Sequence, residues 1–473
     1  METLQRTANR GSVSTGAYEI DNSCVFEDAN SEGLHKSLSS QSQDCFTISF
    51  WLKRTGLGAQ RLVGAGADGN NEVIIHFTSS DQLEFYAWES AYRMRYKTNR
   101  VFRDTSAFYH FAFLVDTRLS TASERTQIYV NGVLETSFSV SVVPGQNALF
   151  DWTTNIQVGR GGPSADADMS GYLAEFVYLD DTKAAHTDLG EFDSDTGIWI
   201  PKDVSGLTFG TNGAYLDFKD SSNMGNDANG GTDFTLVNIS SADQSTDTPT
   251  NNFATFNALQ PLQASGVISE GATKFYTGSN WQTAVSSIAV SSGKWYAEFY
   301  PNSSTTIVGF VDVEDAYIPQ NHTGYYLGYA GGNQNRSVGM QGSNGVIMND
   351  NNSATGAGFV GGNIVSLALD MDNRKAYWAV NGTYVNSGDP ANGTNGVTWA
   401  TSSTLGDLWT DVITMGVTGY TNIIWLGNFG GFTTMPISSG NADGNGYGNF
   451  EYAPPSGFYS ICSKNLAEFG GTA

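Results

Sequence analysis

The residues best suited to recognising a polyhydroxylated ligand lie between Tyr317 and Arg336. Tyr317, Tyr325, Tyr326 and Tyr329 supply ring faces there, and Asn333, Gln334, Asn335 and Arg336 supply amide and guanidinium groups. Sugar rings stack on aromatic faces while amides read hydroxyls, so the combination points to carbohydrate binding. Its competitor is plain packing of tyrosines across neighbouring strands. The five histidines, His35, His76, His110, His186 and His322, are scattered, and none has the Cys/His spacing that cages zinc. His76 and His110 sit inside strand-like alternation, where a hydrogen-bonded structural role is expected ahead of general-base work. Gly64-Ala-Gly66-Ala-Asp-Gly69 meets the dinucleotide string, but Glu72-Val-Ile-Ile-His-Phe77 follows it as a strand. A pyrophosphate needs a helix N-terminus at that point, so a glycine-rich hairpin loop is expected instead.

Charge narrows the partners. Lys and Arg number 23 against 47 Asp and Glu, a net charge of −24. Phosphate binding draws on a basic stripe, and neither half of the chain is read as offering one, which argues against nucleic acid and anionic membrane as partners. No apolar run is long enough to span a bilayer, and Met1 to Arg6 lacks the basic, apolar start of a signal peptide. Cys24, Cys45 and Cys462 are too few and too widely spaced for a disulfide framework and are expected to be core thiols. The expectation is a protein made in a reducing cytoplasm without a signal peptide.

The elements that would carry these residues are strands. Charged residues are only 15% of the chain, while aromatics reach 12% and Gly 55 positions, a balance that favours all-β architecture. Phe46, Ile48, Phe50 and Leu52 alternate with Thr47, Ser49, Trp51 and Lys53. Val73-Ile75-Phe77, Leu83-Phe85-Ala87 and Tyr109-Phe111-Phe113-Val115 repeat the period of two. Helix is expected only for a turn or two near Thr187 to Phe192, capped by Thr187. Asn131-Gly132 and Asn381-Gly382 each predict a type I′ hairpin turn. The chain thus predicts two antiparallel β-sandwich (jelly-roll) domains joined by an Asn/Asp/Ser/Thr-rich segment. Its parts would be an N-terminal arm (1–16), a first sandwich (17–202), a linker with one possible short strand at Ala214–Phe218 (203–255), a second sandwich (256–465) and a C-terminal tail (466–473).

Trp51-Leu-Lys-Arg54, Ala107-Phe-Tyr-His-Phe-Ala-Phe-Leu-Val115, Ile128-Tyr-Val-Asn-Gly132, Ile156-Gln-Val-Gly-Arg160 and Gly171-Tyr-Leu-Ala-Glu-Phe176 follow one another in this order. That succession resembles the laminin-G-like, concanavalin-A-like jelly roll. Lys294-Trp-Tyr-Ala-Glu-Phe299, Ile307-Val-Gly-Phe310, Val365-Ser-Leu-Ala-Leu-Asp370, Tyr377-Trp-Ala-Val-Asn-Gly382 and Ile413-Thr-Met-Gly-Val417 resemble a SPRY-type sandwich. Tyr215 to Asn223, Asp247 to Thr255 and Tyr452 to Phe458 are similar to surface or fibre proteins of tailed, marine-type bacteriophages.

The resemblance implies a multicopy, homo-oligomeric component of the virion surface, contacting other capsid or tail proteins and host-surface glycan. SPRY-type loops would place Tyr317 to Arg336 at one binding end. Laminin-G-like domains often hold calcium at a loop rim, which nominates Asp166 and Asp168 as metal ligands and, more weakly, Asp68 to Glu72. Concanavalin-like folds also include glucanases, whose Glu-x-Asp-x-x-Glu strand sets two carboxylates about 5 Å apart. Glu19-Ile-Asp21 begins the pattern but reaches Cys24, Glu175 to Asp180 lacks the middle acid, and Asp312-Val-Glu314 lacks the third. Solvated strand carboxylates and no enzymatic activity are therefore expected. A polysaccharide-active protein is the alternative.

Overall fold

The computed structural model describes residues 18–39, 42–150, 155–160, 168–260, 262, 265–316, 326–328, 336–348, 358–399, 401 and 408–470. It divides into two compact units between Thr250 and Asn251, and both are built of sheets whose strands pair antiparallel, apart from one short parallel pair, Tyr459–Ser460 on Lys294–Pro301.

In the first unit one sheet runs in the order Val133–Leu134, Thr126–Val130, Tyr109–Asp116, Cys45–Arg54, Gly171–Asp180, Ser23–Phe26 and Gln244–Ser245, with Ala214–Leu216 also pairing on Gly171–Asp180. The second sheet runs Phe138–Val142, Tyr92–Val101, Gln82–Glu89, Asn71–Phe77, Gln60–Asp68, Asn155–Val158, Gly33–Ser37 and Thr235–Val237. Phe46, Ile48, Phe50, Leu52, Phe111, Phe113 and Val115 meet Val73, Ile75, Phe77, Leu83, Phe85 and Ala87 in one core. The period of two in the sequence is the alternation that fills this layer.

The opposite face of the first sheet departs from a simple sandwich. Thr47, Ser49, Trp51 and Lys53 are buried as well, because Ala184, Leu189, Val204, Phe209 and Tyr215 form a second small core over Ala112, Leu114, Val177 and Leu179. Residues 203–250 are thus part of the first unit rather than a linker. Phe218, Met224, Phe234 and Ile239 enter its main core. Their polar neighbours are buried by pairing: Lys36 Nζ lies 3.1 Å from Asp227 Oδ2, and Lys53 Nζ lies 2.7 Å from Asp247 Oδ2. The expected helix near Thr187 is a single 3-10 turn, His186–Asp188, whose Asp188 carboxylate accepts the Ala185 N–H at 3.0 Å. Gly190–Phe192 then pairs with Trp199–Pro201 as strand.

The second unit packs a nine-stranded sheet on a five-stranded one. The first is ordered Val267–Ser269, Lys274–Tyr276, Ile424–Asn428, Lys294–Pro301, Val365–Asp370, Lys375–Val380 and Thr383–Tyr384, with Val397–Thr398 and Tyr459–Ser460 pairing off this path. The second is ordered Trp281–Val285, Ile413–Tyr420, Thr306–Asp312, Ser337–Gln341 and Ile347–Met348. Trp295, Phe299, Phe310, Leu367, Trp378, Trp399 and Trp425 fill the space between them. The C-terminal segment is a helix, Ser463–Phe469, with Leu466 in this core, and Ala254 and Phe256 belong to the core too.

Both Asn-Gly pairs adopt the positive φ values of a type I′ turn: Asn131 at 48° and Gly132 at 75°, Asn381 at 47° and Gly382 at 77°. Gly132 is required twice over, since a Cβ there would stand 2.1 Å from the Trp199 ring. All three cysteines are buried and unpaired.

Candidate functional site

The sheet that sends Val73, Ile75, Leu83, Phe85, Ala87, Met94 and Tyr96 into the core must by alternation turn their neighbours the other way. That open face carries Arg61, Glu72 and His76, then Glu84, Tyr86 and Trp88, then Arg95 and Lys97. A register shift between Ala87 and Trp88 sets Tyr92 opposite Trp88, so the bulge adds another ring to the face. The Trp88 and Tyr92 rings meet edge to face at 4.7 Å, Tyr86 and Tyr92 at 5.7 Å, and His76 and Tyr86 at 5.6 Å. The Arg95 guanidinium lies 4.2 Å from the centre of the Tyr92 ring.

Hydrogen bonds hold these groups in place. Tyr86 Oη donates to Glu72 Oε1 at 2.6 Å, and Arg61 Nη1 is 3.7 Å from the other Glu72 oxygen. Glu84 accepts from His76 Nε2 at 3.1 Å and from Arg95 Nε at 2.5 Å. Burial works to raise the Glu84 carboxyl, but the bonds from His76 and Arg95 outweigh it and hold the group below the usual carboxylate range. Tyr92 stays 37% exposed. The result is a half-open patch of rings bordered by fixed polar groups.

This arrangement is poorly suited to hydrolysis. Glu84 stands opposite His76, four residues along the strand from Glu72, so the Cα positions of the two acids are roughly 14 Å apart, and each carboxylate is already hydrogen-bonded within the face. Among the carboxylates singled out in the sequence, Glu19, Asp21 and Glu314 are exposed, as expected, but Glu175, Asp180 and Asp312 are buried. Glu175 is 3% exposed, at a bulge with φ 50°, and accepts from Tyr215 Oη at 3.2 Å. Burial raises its carboxyl to about 8 against the hydrogen bonds of Tyr18 and Tyr215. Asp180 accepts from Ser42 N, Asn212 N and Asn212 Nδ2, beside an open cleft of about 500 Å³ lined also by Asp181, Thr182, Thr208, Gly210 and Thr211. Asp312 is buried against Thr410.

His110 proves structural. Trp199 Nε1 can only donate, and it does so to His110 Nδ1 at 3.1 Å. The ring proton therefore sits on Nε2, which donates to Ser49 Oγ at 2.8 Å. A base that would activate Ser49 needs the opposite tautomer. Burial lowers the His110 pKa to about 3, keeping the ring neutral. The Gly64–Gly69 string opens no helix: Gly64 to Asp68 belong to the strand Gln60–Asp68, and only Gly69 enters the turn to Asn71–Phe77, so it is mostly a hairpin arm rather than the loop expected.

Of the expected calcium ligands, Asp166 lies outside the described residues. The Asp168 carboxylate faces Arg160, with Oδ2 3.7 Å from Nε, and its N–H bonds Asp28 Oδ1 at 2.8 Å. A calcium ion takes six to eight oxygens. The described part of this rim instead presents a cation to Asp168, and among the described residues no group of three or more metal-ligating side chains converges. Glu72 of the weaker candidate is held by Tyr86 and Arg61.

Tyr317, Tyr325, Tyr329, Asn333, Gln334 and Asn335 also lie outside the described residues. Tyr326 packs at 4.8 Å from Trp281, which meets Tyr420 at 5.3 Å, on the rim of a minor core of Val285, Ile307, Val311, Leu327 and Met348. Arg336 is gripped by both oxygens of Asp315, at 2.5 and 3.0 Å, and by Glu314 at 2.7 Å. Its guanidinium is committed to that turn, so the role expected for it as a ligand contact is corrected to a structural one.

Residues 29–186 match the family described as the Concanavalin A-like lectin/glucanases superfamily, so the first unit is a concanavalin-like sandwich and the open face falls inside the match. No curated protein matches the chain. Among solved structures, the SPRY domain of human HERC1 shares 14% identity over 34% of this chain and 91% of its own, at a TM-score of 0.26. A SAP-like pentraxin from Limulus polyphemus shares 14% over 42% of this chain and 94% of its own, at 0.29. Domain 4 of the arabinanase AbnA from Geobacillus stearothermophilus, solved with arabinotriose, shares 17% over 37% and 78%, at 0.27. At such scores none of these likenesses carries a functional argument.

Proposed function

We propose that this chain is a non-enzymatic carbohydrate-binding protein whose first unit takes sugar on the open face around Trp88 and Tyr92. The observation that carries the reading is the preorganised ring cluster Trp88–Tyr92–Tyr86, bordered by the His76–Glu84–Arg95 network within a lectin/glucanase-type fold. Rings already fixed by neighbours lose little freedom when a sugar stacks on them. Glu72 and Glu84 are each already hydrogen-bonded within the face, which supports binding without cleavage. The test is calorimetric titration with oligosaccharides of wild type and Trp88→Ala, alongside a reducing-sugar assay. Release of reducing ends by the wild type would turn the account toward a polysaccharide-active enzyme.

The setting we propose is the surface of a tailed-phage particle, where many copies convert weak single sites into firm attachment. What supports it is the similarity of Tyr215 to Asn223, Asp247 to Thr255 and Tyr452 to Phe458 to virion surface and fibre proteins. Mass spectrometry of purified particles tests this setting, and absence of the chain from them would remove it.

A further inference from the structure

On the reading that this face binds carbohydrate, we infer that its ligand is an acidic polysaccharide, one bearing carboxylate or sulfate groups. The inference follows from which hydrogen-bonding groups the face leaves over. Its acceptors are already engaged, Glu72 by Tyr86 and Arg61 and Glu84 by His76 and Arg95, and at the strand end beside it Glu89 takes Arg93 Nε at 3.1 Å. Its donors are in surplus. Arg93 and Arg95 each use Nε on a carboxylate and retain their terminal nitrogens, and no described residue accepts from Lys97 Nζ. Arg93 keeps 58% of its side chain exposed.

These cations follow one strand. Arg95 and Lys97 are separated by two residues, roughly 7 Å along the strand, with Arg93 at the bulge one step further. Five of the chain's 23 basic residues fall between Arg93 and Arg103, and no acidic residue falls among them. Arg103 lies beyond the end of the strand, bonded to Asp81, and Arg100 lies beyond the register shift between Gln82 and Glu84, which leaves the Arg93–Arg95–Lys97 row beside the rings for a ligand. The neighbouring edge strand, Phe138–Val142, carries no charge of either sign. Because screening confines electrostatics to about 8–10 Å at physiological salt, this local row governs a bound ligand more than the distant net charge of −24. A neutral sugar needs acceptors as well as donors, whereas this face offers rings for stacking and donors for anions. Nucleic acid shares the anionic chemistry, but the lectin/glucanase-type fold around the row favours a polysaccharide.

The test is calorimetric titration of the full chain with oligoguluronate, sulfated carrageenan oligosaccharide, neutral laminarin oligosaccharide and single-stranded DNA. The expected result is binding of an acidic oligosaccharide at least about tenfold tighter than laminarin, weakened as salt rises from roughly 50 to 500 mM. Lys97→Ala combined with Arg93→Ala should reduce that affinity about tenfold without changing the melting temperature, and Lys97→Arg should retain it. Laminarin bound as tightly as the acidic sugars, and weakened by Trp88→Ala, would overturn this inference while leaving carbohydrate binding intact. Failure of every oligosaccharide would overturn both. DNA bound as tightly as the acidic sugars would show a face selective for polyanions at large and overturn the polysaccharide assignment.

Discussion

Lys53 and Asp247, 194 residues apart in the chain, form an ion pair of 2.7 Å that is buried on both sides. Asp247 also presents its carbonyl to Ser23 Oγ at 2.6 Å. The last residues of the first unit are thereby fastened to a central strand and to an early one. Removing one partner of a buried pair leaves the other charge uncompensated, so Asp247→Ala should cost about 3–5 kcal/mol in urea unfolding. Asp247→Leu combined with Lys53→Met should recover much of that loss. A chain ending at Lys202 would also strand Lys36 without Asp227, and should fail to unfold cooperatively.

Stability should depend on pH through two buried groups of opposite sign. In the unfolded chain Glu175 ionises near 4.5, but in the native state it keeps its proton up to about 8. Unfolding between those values releases a proton, so stability falls as pH rises through that window, by up to about 1.4 kcal/mol per unit, and levels off above it. His110 acts in reverse: it protonates near 6.5 when unfolded and only near 3 when native, so its contribution is lost as pH falls from 6.5 toward 3. The two slopes oppose each other between 4.5 and 6.5, and Glu175 dominates above. Urea melts at pH 6.5 and 8 should therefore differ for the wild type and converge for Glu175→Gln. Equal wild-type stabilities would refute the protonated acid.

The hairpin at Asn131-Gly132 gives a sharp steric test. Gly132→Ala forces a Cβ into the Trp199 ring at a φ of 75°, and should cost about 2–4 kcal/mol. Gly145→Ala, with nothing within 4 Å of the added atom, is its control and should leave the melting temperature unchanged.

Much of the architecture was legible from residue spacing. The alternation at Phe46–Leu52, Val73–Phe77 and Tyr109–Val115 is the core layer itself, and both Asn-Gly turns occur where their backbone demands predict them. Residues 203–250 misled because pattern reading equates burial with apolar residues. There Lys36–Asp227 and Lys53–Asp247 bury polar side chains by neutralising them. The open face was hidden for a related reason: Glu84, Tyr86, Arg95 and Lys97 are the outward half of a core alternation and resemble a solvated surface. One signal could have found it, the five cations between Arg93 and Arg103 in so acidic a chain. Tyr326 and Arg336 were close enough in sequence to suggest a shared site, yet Asp315 and Glu314, upstream in the chain, claim Arg336.

Calcium should leave the first unit indifferent. With Arg160 beside Asp168, the melting temperature in EDTA should equal that in millimolar calcium, because only a ligand that binds the native state raises it. A clear upward shift in calcium would restore the metal to this rim.

The central claim is that the Trp88–Tyr92 face binds sugar, and the most direct measurement is the affinity of Trp88→Ala for the oligosaccharide the wild type binds best, with melting temperatures recorded beside it. Losing a stacking face of this size should weaken binding by about tenfold or more, with a melting temperature close to that of the wild type because the partly exposed Trp88 ring lies outside the core. Affinity equal to wild type, or a fall in melting temperature that accounts for the loss of binding, would contradict the account and make these rings part of the packing alone.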